Sequence, residues 1–333
     1  MTNTLCTARA MSRRGFLAGV AALAGASVLG LSGCDRYLEN EGGKYRIAMV
    51  FNAPINDGGW GSSCYEAMVL AAEECGWETA YSENVATADY GATMQAYIDM
   101  GYDLVYLPGN EYQSSVLQVS KDNPDAKFLV LNGTEVNAGI QAAMPDAVQI
   151  GQCAGALAGL LTKTNSIGFI GGIEIDTTLQ KLEGYTQAAQ KINPDIQVTT
   201  AYAGSFNDAA KGKEIATSMC SSNAVDVMFG DASVVDAGAR EAQAGFPGTY
   251  NIGQPNDLGG PDDPLVPNSV VTDNVVLIVQ CMRDYEAGEY GNKTVLGDLS
   301  NGGVSVGTFS SIVPEDIQEE YLQIIDQIRE GSF

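Results

Sequence analysis

The sequence predicts an α/β protein made of two doubly wound lobes joined by a hinge. Three observations predict it. First, short apolar runs of strand character alternate with longer segments of helical periodicity along the 333 residues, an order that gives parallel sheets covered by helices on both faces. Second, the strand-like runs number about ten. That is more than one twisted sheet holds comfortably, so two sheets of five or six strands are expected. Third, the segments after the strands are polar, aromatic or glycine-rich, and in open α/β sheets ligands bind beyond the carboxyl ends of the strands.

The elements follow in order. Residues 45–51 (YRIAMVF) form a buried-strand pattern, followed by a turn with Asn56, Asp57, Gly58 and Gly59. Residues 61–75 carry Cys64, Met68, Ala71, Ala72 and Cys75 on one helical stripe, and Gly76 ends that helix. Strands are expected at 78–81, 104–107 and 128–131, with helices at 88–100, ended by Gly101, and at 112–121. Residues 140–144 add a further strand. The alternation resumes with helices at 151–162, 177–191, 208–221 and 233–244 and strands at 167–170, 196–202, 225–229 and 249–252. A helix at 274–287, a strand near 304–308 and a closing helix at 315–330 complete the chain.

The first 33 residues read as an address. They hold Arg9, Arg13 and Arg14, no acid, and an apolar run over 16–31 that is short for a membrane span. Ser12-Arg13-Arg14-Gly15-Phe16-Leu17 resembles a twin-arginine (Tat) export motif, and Leu31-Ser32-Gly33-Cys34 resembles a bacterial lipobox. A chain lipidated on Cys34 is held at the extracytoplasmic face of a cell membrane that its remaining residues do not enter. Residues 34–44, polar and containing Gly42-Gly43, read as a linker. The first lobe is expected to comprise 45–146 and 273–308, and the second 147–272 and 309–333.

Composition removes several functions. The formal charge is −24, from 17 basic and 41 acidic residues. Loss of residues 1–33 leaves 14 basic residues against the same 41 acids, a net −27. Such a balance excludes a protein whose task is neutralising nucleic-acid phosphates. The chain has no histidine, which excludes Ser-His-Asp and Cys-His catalysis, imidazole-held zinc and histidine pH switches. No cysteine pair has CxxC spacing, no cluster has metal-ligand spacing, and there is no nucleophile elbow or Walker-type phosphate loop, so neither a metal nor a cofactor is expected. Cys64 and Cys75 share one expected helix, about 16 Å apart at 1.5 Å per residue, beyond the roughly 7 Å that a disulfide spans. Most cysteines read as small buried apolar residues, with a disulfide between two of the others left open.

Seven post-strand segments are candidates for one shared ligand site: 52–60, 108–111, 132–134, 171–176, 204–208, 230–233 and 253–257. Their candidate ligand-binding residues are Asn56, Asp57, Trp60, Asn110, Asn132, Glu174, Phe206, Asp231, Asn256 and Asp257. Two aromatic faces can clamp a planar base, at about 1–3 kcal/mol per stack, and amides and carboxylates can read base edges or ribose hydroxyls. Blander roles stand beside these: a ring packed at the surface for Trp60, a core residue for Phe206, a helix cap for Asp208, and a solvated helix face for the nearby lysines.

The loop motifs resemble the basic membrane protein (BMP, PnrA-like) family, substrate-binding lipoproteins of ABC transporters. The matching stretches are Ile55-Asn56-Asp57-Gly58-Gly59-Trp60 with Tyr65-Glu66; Asn123-Pro124-Asp125-Ala126-Lys127-Phe128; Lys163-Thr164 with Ile167-Gly168-Phe169-Ile170-Gly171-Gly172; Asn193-Pro194-Asp195-Ile196; and Gly204-Ser205-Phe206-Asn207-Asp208-Ala209-Ala210-Lys211-Gly212-Lys213. The resemblance implies two Rossmann-like lobes in a type I periplasmic binding protein fold. It also implies a purine nucleoside or related base as ligand, ABC permease subunits as partners, and a monomeric receptor without enzymatic activity. It gives Asn56 and Asp57 hydrogen bonds to the ligand, puts Trp60 where the family stacks a Phe, and makes Phe206 the aromatic of the opposite lobe. Three positions depart from the pattern: the strand-end aspartate falls at Asn132, the first aspartate of IGxDxDQ at Pro255, and the SVxK lysine near Thr272. A ligand sensor docking on a membrane receptor, and an extracellular hydrolase using Asp57 and Asp257, are the competing readings.

Overall fold

The computed structural model describes residues 45–56 and 60–333. The expected leader, the linker and Cys34 lie outside the described residues, as does Asp57. In chain order the elements are β1 Arg46–Val50, α1 Trp60–Cys75, β2 Glu78–Ser82, α2 Tyr90–Asp99, β3 Leu104–Leu107, α3 Gln113–Asp122, β4 Phe128–Leu131, β5 Ile140–Pro145, α4 Ala147–Leu161, β6 Ser166–Gly171, α5 Asp176–Ile192, β7 Gln197–Tyr202, α6 Ala209–Ser222, β8 Val227–Asp231, α7 Val234–Gln243, β9 Tyr250–Asn251, β10 Val270–Thr272, α8 Asn274–Glu286, β11 Thr294–Gly297, β12 Val304–Val306 and α9 Glu315–Arg329.

The strands form a parallel six-stranded sheet in the order β11-β5-β4-β3-β1-β2 and a parallel four-stranded sheet in the order β7-β6-β8-β9. Each sheet is buried on both faces. In the first, β1, β3, β4 and β5 bury Met49, Tyr106, Leu129 and Ala143 with α1 and α8 on one side, and Val50, Val105, Val130 and Ile140 with α2 and α3 on the other. In the second, Ile167, Phe169 and Phe229 pack with α4, α5 and α9, while Ile170 and Met228 pack with α6 and α7. That is the doubly wound, two-lobed arrangement expected from the alternation. Gly76 and Gly101 follow α1 and α2 with φ of +77° and +71°, left-handed positions that glycine fills without a Cβ penalty.

Several expectations are corrected. The second sheet has four strands, not five or six, because β9 is only two residues long and the pairing beyond it is an isolated parallel bridge between Gly253 and Ser269 rather than a strand. β10 and β12 form a separate antiparallel pair, against the all-parallel expectation. It joins the polypeptide passing between the two sheets, and Val270 and Val304 of this pair pack into the second lobe's core. The helix expected at 151–162 starts at Ala147, because Asp146 caps it by accepting the Gln149 N–H at 3.0 Å. β8 lies two residues later than 225–229, and β10 and β11 were not expected at all. The five cysteines among the described residues are free thiols, so the disulfide left open is not formed. No described helix is long and apolar enough to cross a membrane.

Candidate functional site

Parallel strands put all their carboxyl ends on one edge of a sheet, and the candidate residues collect on two such edges. Asn56, Trp60, Asn110 and Asn132 follow β1, β3 and β4 of the first sheet. Glu174, Phe206, Asp231, Asn256 and Asp257 follow or end β6, β7, β8 and β9 of the second. Among the described residues, no hydrogen bond or ring contact given by the structure joins the first set to the second.

On the first edge, side chains tie the loops to one another. Trp60 opens α1, and its indole N–H donates to the Pro108 carbonyl at 2.7 Å, linking the loops after β1 and β3. The residue is nonetheless 42% exposed. The Asn52 N–H donates to the Tyr112 hydroxyl at 2.9 Å, and the Asn52 amide donates to Glu111 at 3.3 Å. Asn56 and Asn110 are exposed. Asn132 takes a left-handed conformation, φ +57°, and donates its N–H to the Ala143 carbonyl at 2.7 Å. Asn tolerates that region better than most residues, so its place at the strand end has a backbone reason. Buried Gln113 holds the loop after β4, its carbonyl accepting the N–H groups of Thr134 and Glu135 at 3.1 and 3.3 Å. Sequence reasoning missed this glutamine, which sits on a helix without any motif.

On the second edge, the Phe206 ring lies against Gly172, where an added Cβ would fall 2.3 Å from the ring. Phe206 is half-buried and belongs to none of the core clusters, which removes the core reading. Its carbonyl accepts the Val234 N–H at 3.0 Å. Asp208 caps α6, accepting the Lys211 N–H at 2.9 Å. Lys211 and Lys213 pair with Glu214 and Glu241 on the exposed face. Glu174 and Asn256 are exposed. Asp257 is occupied by protein: its carboxylate accepts both the N–H and the hydroxyl of Thr308, at 3.0 and 2.7 Å.

Asp231, at the end of β8, is also taken. Its carboxylate accepts Lys181 Nζ at 2.6 Å and the Thr178 hydroxyl at 2.6 Å, with Gln254 Nε2 at 3.3 Å. Burial pushes this carboxyl up, but the Lys181 ammonium and the hydrogen bonds from Lys181, Thr178 and Gln254 outweigh it and hold the group below its ordinary value. Lys181 escaped the sequence reading because nothing in the TTLQK stretch sets it apart from an exposed helix lysine.

No group of three or more His, Cys, Asp or Glu among the described residues is arranged to hold a metal. Two hollows, of about 400 and 340 Å³, lie away from both sets of candidates. One is lined by Lys163, Asp226 and Phe246 near the amino ends of the second sheet, the other by Glu74, Asp273 and Arg283 beside α8. Both edges instead offer part-exposed rings beside amides, carboxylates and backbone N–H groups, equipment for binding a small polar molecule with a flat face.

Known proteins match this arrangement. The family described as ABC transporter substrate-binding protein PnrA-like (Bmp) matches residues 44–330. The chain is 28% identical to the ABC transporter nucleoside-binding protein BmpA of Lactococcus lactis subsp. cremoris, over 92% of this chain and 96% of that one. Among solved structures, the transcriptional activator of the comK gene from Bacillus halodurans superposes with a TM-score of 0.76 at 20% identity, covering 86% of this chain and 99% of the other. A solute-binding protein of an ABC transporter system from Conexibacter woesei gives 0.70 at 19% identity, covering 87% and 97%. At those identities the two structures share the fold.

Proposed function

The chain belongs to the Bmp family of PnrA-like ABC transporter substrate-binding proteins, and from that premise we propose that it is the extracytoplasmic receptor of an ABC importer, taking a purine nucleoside or related base between its lobes. Substrate-binding proteins of ABC transporters bind small ligands and work with permease subunits. The observation that carries the finer reading is the pair Trp60 and Phe206. Each ring is kept part-exposed at the carboxyl edge of a different sheet, one by a hydrogen bond to Pro108 and the other by the bare backbone of Gly172. Unburied rings forgo the apolar gain that a core position brings, and stacking on a planar base recovers it. The Lactococcus relative's name, nucleoside-binding protein, supports the same ligand class.

In this reading the lobes comprise 45–146 with 273–308 and 147–272 with 309–333, hinged where the polypeptide passes between them. The exposed candidates Asn56, Asn110, Glu174 and Asn256 are left to meet the trapped molecule, Asp231 and Asp257 being engaged by protein side chains. Closure excludes water and strengthens the hydrogen bonds inside. The leader is a Tat-type signal, Cys34 carries the acyl chains, and binding proceeds without turnover.

Thermal shift against inosine, guanosine, adenosine, their free bases, ribose, glucose and amino acids tests the ligand. A melting rise with nucleosides or bases is expected, and Trp60→Ala and Phe206→Ala should each weaken binding about ten-fold or more. A rise with sugars or amino acids alone overturns the nucleoside assignment. Conversion of a nucleoside on incubation overturns the receptor assignment.

A further inference from the structure

The Lys181–Asp231 pair joins three segments at the carboxyl edge of the second sheet. Lys181 and Thr178 come from the start of α5, Asp231 ends β8, and Gln254 follows β9. Thr178 and Lys181 stand three residues apart on one helix side, so both reach the same carboxylate. The side chains are 16% and 19% exposed, which makes this a half-buried pair rather than a solvated one.

On Asp231, one carboxylate oxygen accepts Lys181 and Gln254, the other accepts Thr178, and the main-chain carbonyl accepts the Gly172 N–H at 3.0 Å. Lys181 keeps a donor. An ammonium has three donors, and its acceptors among the described residues are Asp231 at 2.6 Å and the Gln254 carbonyl oxygen at 3.2 Å. The third N–H is unspent. It belongs to a cluster bonded directly to Gly172, the residue on which the Phe206 ring rests.

The geometry points to Lys181 as a specificity-determining residue that donates this N–H to an uncharged acceptor of the bound molecule: a carbonyl oxygen, ring nitrogen or hydroxyl. The inference rests on reading the two sheet edges as a ligand site. Because Asp231 already matches the ammonium charge, a phosphate or carboxylate placed there meets a carboxylate at close range and is disfavoured. A neutral acceptor meets a charge-assisted donor held in place by two protein partners.

Calorimetric titration of the wild-type protein and Lys181→Met with inosine and its single-acceptor deletions tests this. Purine riboside lacks the 6-oxo group and with it the N1–H, the 3-deaza and 7-deaza analogues of inosine each lack one ring nitrogen, and the 2′-, 3′- and 5′-deoxyinosines each lack one hydroxyl. Loss of a charge-assisted bond is expected to weaken inosine binding about ten- to hundred-fold in Lys181→Met. One deletion should cost the wild type the same factor and cost the variant nothing further. Lys181→Arg, which keeps a donor, should recover part of the affinity, and it stands in should the Met variant fail to fold. Losses that multiply for every deletion show that Lys181 touches no ligand atom and overturn the inference. If the wild type binds ribose but none of the nucleosides, the nucleoside reading falls and the same cycle with the deoxyriboses decides on Lys181. A wild type that binds neither overturns both.

Discussion

Asp236, buried near the start of α7, accepts the Ala232 N–H at 2.8 Å and lies against Gly230. It thereby pins the turn that carries Asp231. Burial pushes its carboxyl up to about 7, against the opposing pull of the Ala232 hydrogen bond and Arg240. An unfolded aspartate ionises near pH 4. Between about pH 4 and 7 the folded chain therefore holds a proton that the unfolded chain has released, and folding stability from this group falls as pH rises through that window. Asp236→Asn keeps an acceptor and removes the charge. It should be more stable than wild type at pH 8 by on the order of 2–4 kcal/mol, with the gain shrinking toward pH 4. Urea unfolding of both proteins across that range checks it, and a gain independent of pH refutes the assignment. The same turn shows what a residue's letter reveals. Asp231 was legible as a polar group at a strand end, but its partners were not, because Lys181 and Gln254 come from distant segments that only the folded sheet brings together.

At the scale of elements, α4 and α5 pack with their backbones almost touching. A Cβ at Gly151 would fall 2.1 Å from the Lys181 carbonyl oxygen, one at Gly155 2.1 Å from that of Tyr185, and one at Gly184 2.2 Å from that of Val148. Gly155→Ala should cost about 1–3 kcal/mol, as overpacking in a tight core does. A urea midpoint no lower than wild type would refute that. Legibility varied among elements for physical reasons. β3 and β4 fall where four-residue apolar runs, buried at every position, mark them. β11 alternates exposed and buried residues at a sheet edge, and β10 has three residues, so neither carries enough pattern to separate it from a loop. The start of α4 was readable from its cap, Asp146, and was overlooked in favour of the apolar stretch further on.

At the scale of the whole molecule, if the carboxyl edges of the two sheets share one ligand, the few connections between the sheets act as a hinge. X-ray scattering with and without inosine should show a smaller radius of gyration in the loaded protein. An unchanged radius with inosine bound would mean that one lobe holds it alone. The strongly acidic balance was legible in full, and so was the family, because its matching stretches recur in order along the chain from Ile55 to Lys213.

The route of the polypeptide between the sheets has a further consequence. β5 is flanked by β11, and the α1 side of the first sheet is completed by Leu277, Ile278 and Met282 of α8, both elements encoded after the entire second sheet. A gene cut after codon 146 would thus yield a fragment with a bare β5 edge and an uncovered apolar face, prone to sticking to its own copies. A nascent chain cannot finish its first sheet until the whole of the second has been translated.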